Sequence, residues 1–183
     1  LSQLILIAGG TGQGKTRFAN QILRNATVRN GEGRAFYKPS NQSVKQYIFD
    51  LNNEYILPTD DRIYPHFRHV RADQKQFVQI CKNLMGYSIV FEDASGFLRG
   101  KQGAELIRLI VQRRHQKNNW IILFHSVNRI PPELMEYCNT LVIFKTNDNI
   151  KDVDKKFKNQ GINQMVHELS SKKNHSYLIK KML

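Results

Sequence analysis

The apolar run Leu4-Ile5-Leu6-Ile7-Ala8 passes directly into Gly9-Gly10-Thr11-Gly12-Gln13-Gly14-Lys15-Thr16, and this junction constrains the fold more than any other stretch. The apolar run reads as a buried strand. Phe18, Ala19, Ile22 and Leu23 repeat at helical spacing in the segment that follows, which predicts a helix over about 15–25. The glycines therefore fall in a strand-to-helix turn, where they let the backbone curl with its N–H groups aimed into one concavity at the positive end of the helix. Such a cradle suits phosphate oxygens. Lys15 would reach the β- and γ-phosphates of ATP, and Thr16 would offer its hydroxyl to Mg²⁺.

At 183 residues and 40% hydrophobic, the chain can bury a substantial core, and no shift in composition marks a second domain, so residues 1–183 read as one unit. Cys81 and Cys138 stand in unrelated contexts without metal-ligand spacing and are expected to be reduced thiols of a cytoplasmic protein. No apolar run is long enough to span a bilayer, and strand begins almost at once with no charged or apolar leader, so a soluble protein is expected. The 28 Lys and Arg against 15 Asp and Glu leave a net charge of +13. That excess points to a polyanionic partner or to simple solubilisation, and a phosphate loop favours the first.

Along the chain, strands are expected at 34–38, 47–51, 87–91, 120–124, 141–144 and 176–179, and helices at 74–85, 104–114, 153–157 and 162–169, with a short helix opening near Pro131-Pro132. Asp50 and Glu54 read most simply as solvated loop acids. In Asp60-Asp61-Arg62-Ile63-Tyr64-Pro65-His66-Phe67-Arg68-His69-Val70-Arg71, basic and aromatic residues interleave. Two readings stand: a surface that tracks a phosphate backbone and stacks on bases, or an ordinary strand over 67–70.

The strand Tyr87-Ser88-Ile89-Val90-Phe91 ends in Glu92-Asp93. Beside a phosphate loop, one such carboxylate serves Mg²⁺ while the other works on the attacking water. Ala94 to Gly103, with Arg99 and Lys101, reads as a basic loop next to these acids. Arg113 and Arg114 either complement the dipole of a helix C-terminus or supply an arginine finger to a neighbouring subunit. His125 ends the apolar strand Trp120–Phe124, at the edge where parallel sheets form their ligand crevice, and is either structural or a γ-phosphate sensor.

Taken in order, the phosphate loop, Phe49-Asp50-Leu51-Asn52-Asn53-Glu54-Tyr55, Glu92-Asp93, Arg113-Arg114-His115, a strand with a polar end, and Ile130-Pro131-Pro132-Glu133-Leu134 resemble the FtsK/HerA superfamily of DNA-translocating ATPases. The resemblance implies an α/β, RecA-like P-loop NTPase with a mostly parallel central sheet flanked by helices, a homo-oligomeric, hexameric ring, and double-stranded DNA as partner. Among small members it points to viral genome-packaging ATPases, with capsid or membrane-vertex proteins as further partners and a location in host cytoplasm or virion. Phage assembly ATPases of the zonula-occludens-toxin type are also similar; the rivals are a nucleotide-gated assembly factor without DNA translocation and, from another enzyme class, a small-molecule kinase. The superfamily usually has Asp then Glu where this chain has Glu92 then Asp93. Either Glu92 holds the metal and Asp93 acts on water, or the two roles are exchanged.

Overall fold

The computed structural model describes residues 2–23, 28–29, 35–37, 45–49, 66–69, 74–158 and 160–182, with the backbone alone at 28–29, 35–37, 45 and 66–69. The Asp50–Tyr55 motif and most of the Asp60–Arg71 segment lie outside the described residues.

In chain order the elements are β1 (Leu4–Ala8), α1 (Lys15–Leu23), β2 (Val28–Arg29), β3 (Ala35–Tyr37), β4 (Lys45–Phe49), β5 (His66–His69), α2 (Gln74–Asn83), β6 (Tyr87–Phe91), α3 (Gly100–Val111), α4 (Arg113–Gln116), β7 (Asn119–Phe124), α5 (Pro132–Glu136), β8 (Thr140–Phe144), α6 (Ile150–Lys156), α7 (Ile162–Ser170) and β9 (Tyr177–Lys181). A seven-stranded sheet runs β5-β4-β6-β7-β1-β8-β9, and β2 pairs with β3 separately. Every pairing in the large sheet is parallel except β8 with β9. The expected α/β class with a mostly parallel sheet flanked by helices is the observed one. Among the described residues, no helix is long and apolar enough to cross a membrane.

Strand β1 is apolar throughout because helices cover both faces of the sheet around it. Side chains alternate across a strand, so Leu4, Leu6 and Ala8 join the core beneath α2, α3 and α5 to α7, whereas Ile5 and Ile7 meet Phe18, Ala19 and Ile22 of α1. Cys81 and Cys138 are both buried and free, and burial pushes the Cys138 thiol up to about 12.

Three asparagines hold the amino edge of the sheet. Asn119 Oδ1 accepts from Gln3 N at 2.9 Å, and Asn139 Oδ1 accepts from Leu4 N at 2.8 Å. Asn118, fully buried, accepts from Tyr87 N at 2.9 Å and donates to Leu84 O at 2.8 Å. These bonds satisfy the amides where β1 and β6 begin, before the ladder can.

The basic loop expected over 94–103 is corrected. Ala94–Gly96 forms a 3-10 turn, and α3 already begins at Gly100. Gly103 sits inside that helix because a Cβ there would lie 2.4 Å from Leu98 C and 2.9 Å from Leu98 O. Gly103→Ala is therefore expected to destabilise the fold by about 1–3 kcal/mol in a urea melt, the usual cost of overpacking. Helix propensity alone would stabilise it by about 1 kcal/mol, so a rise in the midpoint would show that the contact is slack.

Candidate active site

The carboxyl ends of β1, β6 and β7 converge on one crevice, as expected for an open parallel sheet. The phosphate loop is suspended between the strands flanking β1. Gly9 N donates to Phe124 O at the end of β7 (3.2 Å), and Gly10 N donates to Lys145 O just past β8 (2.9 Å). Gly14 takes φ +95°, a conformation L side chains rarely adopt, and this turns the chain into α1.

Lys15 folds back over the loop, with Nζ donating to Gly9 O and Gly10 O at 2.8 Å each. Thr16 Oγ1 donates to Glu92 Oε1 at 2.8 Å, and Glu92 is buried at 5% exposure. The next residue, Asp93, adopts φ 49° and ψ 51°, so its carboxylate leaves the strand direction and faces His125 Nε2 at 3.2 Å. A left-handed non-glycine residue beside a crevice is a typical device for aiming a functional group.

A cavity of about 240 Å³ gathers Thr11, Gly12, Gly14, Lys15, Thr16, Glu92, Asp93 and His125. Hydroxyl and carboxylate oxygens already at hydrogen-bond distance form the hard donor set that Mg²⁺ prefers, since it takes one or two protein ligands and fills its remaining positions with phosphate and water. Thr16 and Glu92 therefore fit the metal.

Arg113 requires a correction. The residue is 3% exposed, and its Nη2 donates to Tyr137 O (3.0 Å) and Asn139 Oδ1 (2.8 Å). Burial lowers its pKa below the usual arginine value, with Arg114 adding to the effect. The same Asn139 oxygen holds Leu4 N, so Arg113 sits at the amino edge, a full strand away from the phosphate loop. A buried guanidinium tied to this edge cannot extend into a neighbouring subunit. Arg114, beside it, is exposed.

Two contributions had no visible sequence signal. Asp148 accepts from Val127 N (2.7 Å), Asn128 N (3.4 Å) and Thr146 Oγ1 (2.7 Å), which fixes the turn that follows His125. Gln13 Oε1 accepts from His175 N at 3.1 Å, joining the C-terminal turn to the phosphate loop.

No family model and no curated protein matches the chain. Solved structures do. The genome-packaging NTPase B204 of Sulfolobus turreted icosahedral virus 2, in complex with sulfate, aligns over 98% of this chain and 91% of its own, at TM-score 0.69 and 13% identity. B204 of Sulfolobus turreted icosahedral virus, described as a DNA-packaging ATPase, aligns over 98% and 92% at TM-score 0.65 and 13% identity. The N-terminal domain of zonular occludens toxin from Neisseria meningitidis aligns over 80% and 78% at TM-score 0.53 and 14% identity. The fold of this chain is the α/β fold of these P-loop NTPase structures.

Proposed function

We propose that the chain is an Mg²⁺-dependent ATPase that turns hydrolysis into movement of double-stranded DNA, with viral genome packaging as its setting. The observation that carries this reading is the Thr16–Glu92 pair lying beside a left-handed Asp93 in the crevice of the phosphate loop. Lys15 and the loop amides of 9–16 hold the triphosphate, while Thr16 and Glu92 hold Mg²⁺. The chemistry the metal would supply there is neutralisation of phosphate charge. Asp93, more exposed than Glu92, orients the attacking water and receives its proton. His125 steadies that carboxylate and contacts the γ-phosphate. In a hexameric ring, Arg114 would act across the subunit boundary.

The DNA partner is supported by the net charge of +13 and by the fold shared with the B204 packaging ATPases, two of whose complexes hold AMPPCP and ATP-γS. Steady-state ATP hydrolysis with and without double-stranded DNA, at low and moderate salt and with Lys15→Ala as the blank, tests the reading. Stimulation by DNA that weakens as salt rises is the expected result, because phosphate contacts release counterions. Turnover indifferent to DNA would remove the translocase and leave the second reading, a phage assembly ATPase, which the toxin-domain likeness favours.

A further inference from the structure

Of the rings that line the cavity, Phe124 is fully buried in the sheet, and His125 faces Asp93 at 3.2 Å, at the end where the terminal phosphate belongs. The cavity, at about 240 Å³, is also smaller than the about 300–1,000 Å³ of most pockets that enclose a whole ligand. The nucleoside must therefore lie outside it, and the direction in which it leaves is fixed. Glu92, Asp93 and His125 place the terminal phosphate on the β6–β7 side of β1. A triphosphate laid along the loop from that end emerges on the opposite side, towards β8 and β9.

The turn between α7 and β9 stands there, tied down at three points. Its His175 N donates to Gln13 Oε1 at 3.1 Å. Lys145 Nζ donates to Lys172 O at 3.0 Å, and the carbonyl of the same Lys145 receives Gly10 N. Immediately after the turn, the Tyr177 ring packs on Phe18 of α1 with centroids 4.9 Å apart, and on Phe144 at 5.2 Å. Between these ties His175 adopts φ 67°, remains exposed, and carries its Nδ1 to within 3.6 Å of the point where a Cβ on Gly14 would lie. A planar, solvent-facing ring is thus held over the start of α1, at the nucleoside end of the loop.

We propose that His175 is the base-stacking residue of the nucleotide site, with the Gln13 bond positioning it; the assignment rests on nucleotide binding by the crevice. An aromatic face recognises a base through stacking and is indifferent to inorganic phosphate chains. That difference supplies the test.

Dissociation constants for ATP and for inorganic tripolyphosphate are measured by calorimetry on the wild type, His175→Ala, His175→Phe, Gln13→Ala and Lys15→Ala. His175→Ala is expected to weaken ATP roughly 10-fold, the scale of losing one base stack, and to leave tripolyphosphate unchanged. His175→Phe retains ATP affinity because it keeps a ring. Gln13→Ala shows the same selective loss in milder form, and Lys15→Ala weakens both ligands. Equal loss of both ligands in His175→Ala, or no loss of ATP, overturns the assignment while the nucleotide reading stands. A wild type that binds neither ligand removes both.

Discussion

Asp93→Asn is expected to lower kcat for ATP hydrolysis by about 10²–10⁴-fold while ATP still binds, the usual contribution of a positioned general base. The substitution is nearly isosteric. Asn tolerates the left-handed backbone seen at φ 49°, and its carbonyl oxygen still accepts from His125 Nε2 if that nitrogen carries the proton. What it loses is basicity towards water. Glu92→Gln serves as the companion variant: with Glu92 on the metal, it raises the Mg²⁺ concentration needed for half-maximal turnover, and Asp93→Asn does not. If Asp93→Asn retains most of its turnover while Glu92→Gln loses it at saturating Mg²⁺, the two acids have exchanged roles.

Lys15→Ala is expected to reduce kcat/KM by at least about 10²–10³-fold, the loss typical of removing one donor aimed at transition-state charge. Here the ground state suffers as well. Nζ engages two loop carbonyls, so the same ammonium braces the loop and would also meet the phosphates. Lys15→Arg should not rescue it, because a planar guanidinium fork cannot reproduce a compact ammonium held 2.8 Å from two neighbouring carbonyl oxygens. Fluorescence titration with ATP and single-turnover hydrolysis separate the two losses. Unchanged ATP affinity together with unchanged turnover would show that the crevice is not the nucleotide site.

Strand β1, the phosphate loop, Glu92-Asp93 and His125 were all legible in the sequence because each depends on short-range pattern: an apolar run followed by glycine, or an apolar run followed by acid or imidazole. Their convergence follows from parallel topology, which places the carboxyl ends of β1, β6 and β7 on one edge. Arg113 was not legible in this way. Its burial depends on Asn139 and on the carbonyl of Tyr137, and a charged residue at the end of a helix carries no local mark of such partners. Gly103 misled for the opposite reason, since glycine marks a loop in sequence but here relieves a contact with Leu98 inside a helix. The Gln13–His175 bond joins residues 162 positions apart, and nothing near either residue announces the other.

The asparagines at the amino edge bear on how the sheet comes apart. With Gln3, Leu4 and Tyr87 amides already engaged by side chains, β1 and β6 cannot readily fray from their beginnings. At their far ends, where the phosphate loop and the acids stand, the ties are backbone bonds instead, from Gly9 N to Phe124 O, Gly10 N to Lys145 O and Glu92 N to Phe49 O. A nucleotide bridging Lys15, Thr16 and Glu92 would add a staple at that end, so occupancy would raise the resistance of the central strands to unzipping as well as their melting temperature.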